Sequence, residues 1–196
     1  MYSVFYGRMG DAAVAAMGVC TTINDLVWVA IFALMNATAI IVGKALGAGD
    51  RERAYLYAKR MMAGAVAAGV ALGLLVIAVR WPLVNIFSGL SYPVREKAQF
   101  ILMLGALTIW FRAFNTINIV GVLRSGGDTL FSLCLDVGTL WLVGVTSTGL
   151  AALVFHWPLE WVYACTFLEE AVKMAVGIPH FKKRQWMNVL TEQPQG

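Results

Sequence analysis

Five long apolar stretches make up most of this chain, and they constrain its fold more than any other feature. They lie at about residues 12–46, 61–79, 98–123, 130–155 and 158–177. Each approaches or exceeds the ~20 residues that an α-helix needs to cross the hydrocarbon core of a bilayer. Only 13% of the 196 residues are charged and 60% are hydrophobic, which is too much apolar surface for a chain of this size to hide from water. We therefore predict an all-α integral membrane protein, a bundle of five transmembrane helices.

The two ends of the chain differ from these spans. Residues 1–10 contain MYSVFYGR, which is apolar but far too short to cross a bilayer, so it resembles the tail of a truncated helix. Residues 178–196 are polar and basic and are expected to form a cytoplasmic tail. We treat residues 1–196 as a single transmembrane lobe and expect it to be a fragment of a larger protein.

Positive charges in the connecting segments predict how the spans are oriented, because basic loops remain in the cytoplasm. With alternating spans, nine basic residues fall on one side of the membrane and four on the other. The basic side contains the loops after spans one and three and the C-terminal tail. The sequence therefore predicts a multi-pass protein with a cytoplasmic C-terminus.

A few ionisable residues lie inside the spans, where burying a charge is expensive and usually reflects a hydrated cavity or a partner. Arg112 lies at a similar depth to Glu169 and Glu170, and Asp136 at a similar depth to Lys173, as judged from the rise along each helix. These residues are candidates for cation or substrate binding. Structural charge compensation within the bundle, including Glu169–Lys173 and Glu170–Lys173 contacts along one helix, is the competing interpretation.

Uncharged polar residues add to these candidates. Asn115 and Asn118 belong to a polar stripe on span three, and their amide oxygens are suited to coordinating a cation or binding substrate. Hydrogen bonding between helices explains the stripe equally well. Asp25 in span one is either a proton or cation site or an acidic group near the external water.

Two glycine-rich loops connect spans on the predicted cytoplasmic side, GKALGAGDRERA (Gly43 to Ala54) and LRSGGDT (Leu123 to Thr129). Their glycines relieve steric limits where helices end, and Asp50 and Asp128 are expected to cap the helices that follow. Neither loop has a Walker pattern or a preceding strand, so phosphate binding is not expected. The three cysteines and two histidines show no metal-ligand spacing, and no nucleophile–base pair is apparent, so we expect neither a metal nor an enzyme.

The order and spacing of several motifs resemble the multidrug and toxic compound extrusion (MATE) family, especially its bacterial members. These motifs are YGRMGDAAVAAMGV, ATAIIVGKALGAGDRERAYLYAKR and GVLRSGGDT, together with Asp136 and the Glu-Glu-x-x-Lys stretch of span five. The resemblance implies one six-helix lobe of a twelve-helix transporter, the C-terminal one, entered partway through its first helix. It also implies a location in the bacterial inner (plasma) membrane.

The resemblance further implies secondary active efflux, in which inward flow of Na⁺ or H⁺ drives organic, often cationic, small molecules out of the cell. No cofactor beyond that coupling ion is expected, and an N-terminal lobe or a second copy is needed to complete the pathway. Some members carry a carboxylate in the helix before the LRxGGDT-like loop, where this chain has Asn115 and Asn118 instead. The alternatives are a flippase for lipid-linked sugars from the same superfamily and a non-transporting membrane fragment.

Overall fold

A computed structural model describes residues 6–8, 11–86 and 92–188, and 90% of these residues are helical. No strand occurs in these three ranges. The prediction of an all-α membrane protein is therefore confirmed.

From Asp11 onward, the described part of the chain contains six α-helical segments. They are α1 (Asp11–Gly47), α2 (Arg51–Ile86), α3 (Tyr92–Thr116), α4 (Thr129–Thr139), α5 (Thr146–Gly149) and α6 (Leu159–Lys182). Three stretches of π-helix interrupt or extend them, namely π1 (Ile117–Arg124), π2 (Leu140–Val145) and π3 (Leu150–Val154). As a result, α3 continues into π1 without a break, and α4, π2, α5 and π3 together form one continuous helix. We call each uninterrupted helix a rod, whether it is a single α-helix or such a combination.

Four of the resulting rods are long and apolar enough to cross a membrane. They cover Val14–Gly47, Arg51–Asn85, Val94–Arg124 and Thr129–Val154. The fifth, α6, spans about 36 Å at the usual helical rise. It is less apolar because Glu169, Glu170 and Lys173 lie near its middle, so its crossing of the membrane stays a prediction. The ends of the chain at residues 1–5 and 189–196 lie outside the described residues, as do most of the predicted truncated helix and the end of the predicted tail.

Some helices extend well beyond the apolar stretches that predict them. Helix α2 begins at Arg51, although the apolar run begins only at residue 61. The cause is the predicted cap, because the Arg53 backbone N–H donates to Asp50 Oδ1 at 3.0 Å. At about 54 Å, α2 is longer than the hydrocarbon core is thick, so its polar first turns project beyond it.

Helices α2 and α3 approach each other closely at two glycines. A Cβ atom on Gly69 would overlap the backbone of Trp110, and one on Gly73 would overlap the backbone oxygen of Ala106. Small residues permit such approach between helices in lipid, where van der Waals packing drives association. Gly69 and Gly73 are four residues apart, which is the spacing that brings two small residues onto one face of a helix.

The two glycine-rich loops and residues 182–188 meet at one end of the bundle, which we call the loop end. The Asn188 backbone N–H donates to the Gly126 carbonyl at 2.9 Å, and Gly126 lies directly against the buried Trp186. Arg184 pairs with Glu52 and lies over the ring of Tyr55, 4.1 Å from its centroid. The segments that the charge pattern assigns to one side of the membrane therefore lie together.

Candidate functional site

A cavity of about 570 Å³ opens between α1, α3 with π1, α4 and α6, and we call it the central cleft. Its walls combine acidic, basic, aromatic and apolar side chains. They are Asp25, Trp28, Phe32, Met35, Asn115, Thr116, Ile119, Val120, Arg124, Asp136, Glu170 and Lys173. Five of the eight candidate residues predicted from the sequence are among them.

One group of polar contacts joins α3 to α6 at the cleft wall. Glu170 Oε1 lies 3.6 Å from Arg112 Nε, and Glu170 Oε2 accepts a hydrogen bond from Asn115 Nδ2 at 2.8 Å. The same Asn115 nitrogen donates to the Glu170 carbonyl oxygen at 2.9 Å. Asn115 is buried and the two charged side chains are largely so, which leaves the pair little access to solvent screening. The carboxylate of Glu170 is therefore held by a guanidinium and an amide.

A second group joins α4 to α6 one turn further along. Lys173 Nζ lies 2.7 Å from Asp136 Oδ1 and 2.7 Å from Glu169 Oε1. The Lys173 and Glu169 side chains are buried, whereas the Asp136 side chain is 43% exposed. Both contacts considered from the sequence form together, so Lys173 bridges a contact within its own helix and one between helices.

Asp25 lines the central cleft from α1 and is exposed. It also borders a second cavity of about 430 Å³, whose walls include Trp28, Asn24 and Arg112. The rings of Trp28 and Phe32 lie 5.4 Å apart in a tilted arrangement and form an aromatic strip beside Asp25. The two cavities therefore share the acidic and aromatic face of α1.

Two amides on the polar stripe have unused hydrogen-bonding capacity. Asn115 Oδ1 is buried without a hydrogen-bond partner among the described residues, and so are Oδ1 and Nδ2 of Asn118. Asn118 does not line the cleft, because it is fully buried in π1 and its amide packs against Gly177 of α6. Buried amide oxygens without donors are potential ligands for a cation, and π-helical turns often occur at functional sites.

The structure thus distributes the sequence candidates over three positions. Asp25, Asn115, Asp136, Glu170 and Lys173 line the central cleft, Arg112 lines the adjoining cavity, and Glu169 and Asn118 are buried behind the cleft wall. Sequence reasoning missed Arg124, which lines the cleft but was assigned only a role in orientation. Arg124 is the last residue of π1, and no signal in the sequence marks that position.

Sequence reasoning also missed a contact at the loop end. Asp128 makes no side-chain cap for α4, so that expectation was wrong. Its Oδ2 instead lies 2.5 Å from Nε2 of His180, a residue 52 positions later whose ring stacks on Phe131. No periodic pattern marks such a pair, because Asp128 lies in the loop before α4 and His180 lies near the end of α6.

Comparison with known proteins places this arrangement in a family. The MatE family profile matches residues 1–146. A curated relative, Protein DETOXIFICATION 16 of Arabidopsis thaliana, is 26% identical over 145 residues, which cover 72% of this chain and 29% of the relative. The chain therefore spans less than a third of the length of that relative. Because the profile covers well over half of its residues, this chain belongs to the MatE family.

Proposed function

We propose that this chain is one lobe, the C-terminal one, of a secondary transporter that exchanges Na⁺ or H⁺ for organic, often cationic, compounds. The observation that carries the proposal is the pair of ion-paired groups at the central cleft, Arg112–Glu170–Asn115 and Asp136–Lys173–Glu169. Charges at membrane depth are retained against a cost of a few kcal/mol, and in transporters they mark ion and substrate pathways.

The geometry supports a mechanism in which cations compete for carboxylates. Glu170 and Asp136 each face the cleft while bound to a basic side chain. A proton or Na⁺ arriving at either carboxylate weakens its attraction to Arg112 or Lys173, and these ion pairs join α6 to α3 and α4. Occupancy of the cleft therefore changes the forces between helices, which is the coupling that alternating access requires.

The composition of the cleft favours an organic cation as the substrate. Three carboxylates and two basic groups line it, and Trp28 and Phe32 offer aromatic faces. A cation is attracted both by the acidic groups and by the ring quadrupoles. A lipid-linked sugar, the substrate of the flippase alternative, carries phosphate groups that the three carboxylates would repel.

The proposal includes a second lobe and a defined orientation. The cleft side of α1 remains exposed at Asp25, so an N-terminal lobe or a second copy of the chain is expected to form the facing wall. We place the protein in the bacterial plasma membrane. The excess of basic residues in the loop-end segments supports a cytoplasmic position for that end and for the C-terminus.

Dye efflux from cells whose own copy has been replaced tests this function. We expect Asp136→Asn, and a Glu169→Gln/Glu170→Gln double variant, to abolish efflux while the protein still reaches the membrane in normal amounts. Glu160→Gln is the matched control, because Glu160 lies on the same helix but outside both cavities. Efflux that survives both sets of changes would remove these carboxylates from the mechanism, and the absence of efflux from the unaltered protein would favour a non-transporting role.

A further inference from the structure

A separate cavity of about 300 Å³ lies at the end of the bundle opposite the loop end, where α2 ends and α3 begins. Arg80 and Trp81 of α2 line it, with Tyr92, Arg95, Glu96 and Gln99 of α3. None of these residues borders the central cleft or the cavity beside it. The transport proposal therefore leaves this cavity without a role.

The two arginines in this cavity have unused hydrogen-bonding capacity. The Nε atoms of Arg80 and Arg95 are both buried, and neither has a hydrogen-bond partner among the described residues. A buried charged donor without an acceptor is costly, and such groups are normally paired. Both Nε donors belong to side chains that line one cavity, so an acceptor bound there would satisfy them.

The chemistry of the cavity identifies the kind of acceptor. Guanidinium groups bind phosphate through two parallel, charge-assisted hydrogen bonds. Among the described residues of the lining, Glu96 is the single carboxylate, and with the two arginines their net charge is positive. Gln99 adds a neutral amide that can also donate.

The depth of the cavity matches the surface of a membrane. Trp81 is 57% exposed and Tyr92 is 79% exposed, and both flank the arginines. Exposed Trp and Tyr are enriched where a membrane protein meets the phospholipid head groups. Trp157, just before α6, and Trp161, in its first turn, are exposed in the same way and extend this aromatic belt.

We propose that the Arg80–Arg95 cavity binds a phosphate group at the membrane surface. Both an anionic phospholipid and a free phosphate ion carry that group. The site requires neither the central cleft nor transport, so the two proposals stand or fall separately.

Native mass spectrometry and equilibrium binding on the purified full chain in nanodiscs test this inference. One arm compares retention of phosphatidylglycerol with that of zwitterionic phosphatidylcholine, and the other titrates inorganic phosphate into nanodiscs of phosphatidylcholine alone. We expect an Arg80→Gln/Arg95→Gln variant to weaken binding by about tenfold or more, because it loses two charge-assisted contacts. Arg80→Lys/Arg95→Lys, which keeps the charge but loses the paired donors, is expected to bind at an intermediate level.

Lys97→Gln provides the matched control, because Lys97 lies on the same turn of α3 as Arg95 but does not line this cavity. Selective retention of phosphatidylglycerol identifies a lipid, whereas saturable binding of inorganic phosphate identifies the free ion. Unchanged binding in the arginine variants, or an equal loss in Lys97→Gln, would overturn the proposal. If the melting curve shows that the Gln double variant is unfolded, the Lys double variant is used instead. Weaker phosphate binding than in the unaltered protein then supports the proposal, and unchanged binding overturns it.

Discussion

Neighbouring residues on α6 have different partners beside the central cleft. Glu169 reaches Lys173 on its own helix, whereas Glu170 reaches Arg112 and Asn115 on α3. Sequence spacing predicted the contact within the helix, since residues four apart share a face. For the contacts between helices, the sequence predicted only that the residues lie at similar depths in the membrane. The structure shows that Glu170, and not Glu169, is the partner of Arg112.

Removing the amine of Lys173 tests this arrangement at the residue scale. We expect Lys173→Met to destabilise the protein by about 3 kcal/mol, because the buried Glu169 loses the amine that compensates its charge. Adding Glu169→Gln should recover most of the loss. Thermal unfolding in nanodiscs measures both, and equal melting temperatures for the single variant and the unaltered protein would contradict this account.

Among the elements, hydropathy predicted the first four rods, because lipid demands long uninterrupted apolar helices whose backbone groups are satisfied internally. The polar first turns of α2 were missed because they project beyond the hydrocarbon. The π-helical stretches were not predicted at all. In a π-helix the backbone hydrogen bonds span five residues instead of four, and this difference leaves no hydrophobic periodicity in the sequence. Even so, π1 positions Asn118 and Arg124.

Glycine substitution in α2 tests the packing of elements. We expect Gly69→Ala to destabilise the bundle by about 1–3 kcal/mol, because the added methyl group overlaps the backbone of Trp110. Gly64→Ala on the same helix should be neutral or slightly stabilising, since a Cβ there meets nothing within 4 Å. If the two substitutions shifted the melting temperature equally, that result would contradict the close approach of α2 and α3.

The docking of residues 182–188 against the glycine-rich loops is a second element to test. We expect Trp186→Ala to cost about 3–5 kcal/mol and to expose this segment to protease, because the Trp186 ring is fully buried between Gly126 and Phe181. Trp161→Ala, which removes an exposed ring, is the control. Limited proteolysis distinguishes the two, and equal cleavage would mean that the segment is not anchored by Trp186.

At the scale of the whole molecule, the described residues form a bundle with two chemically different ends and a charged cleft between them. The loop end gathers both glycine-rich loops and residues 182–188, and the opposite end carries the Arg80–Arg95 cavity and exposed tryptophans. The charge pattern predicted this grouping because basic loops share one side. It could not predict His180–Asp128 or Arg184–Glu52, since such pairs depend on how the helix ends converge.

Labelling of single cysteines tests the orientation of the whole molecule. In a variant without Cys20, Cys134 and Cys165, we expect Arg53→Cys and Lys183→Cys to resist a membrane-impermeant maleimide in intact cells. Lys97→Cys should react, because it lies at the opposite end of the bundle. Reaction of Lys183→Cys from outside would reverse the proposed orientation.

Competition between an organic cation and the coupling ion tests the central claim most directly. Binding of a fluorescent organic cation to the purified protein should weaken as Na⁺ or H⁺ is raised, and the ion that competes is the coupling ion. In Asp136→Asn and Glu170→Gln we expect the effect of the ion on binding of the organic cation to fall by about tenfold, because the carboxylate that binds both cations is gone. The control variant Glu160→Gln should behave as the unaltered protein does. Equal competition in all four proteins would show that the carboxylates of the cleft do not couple ion to substrate.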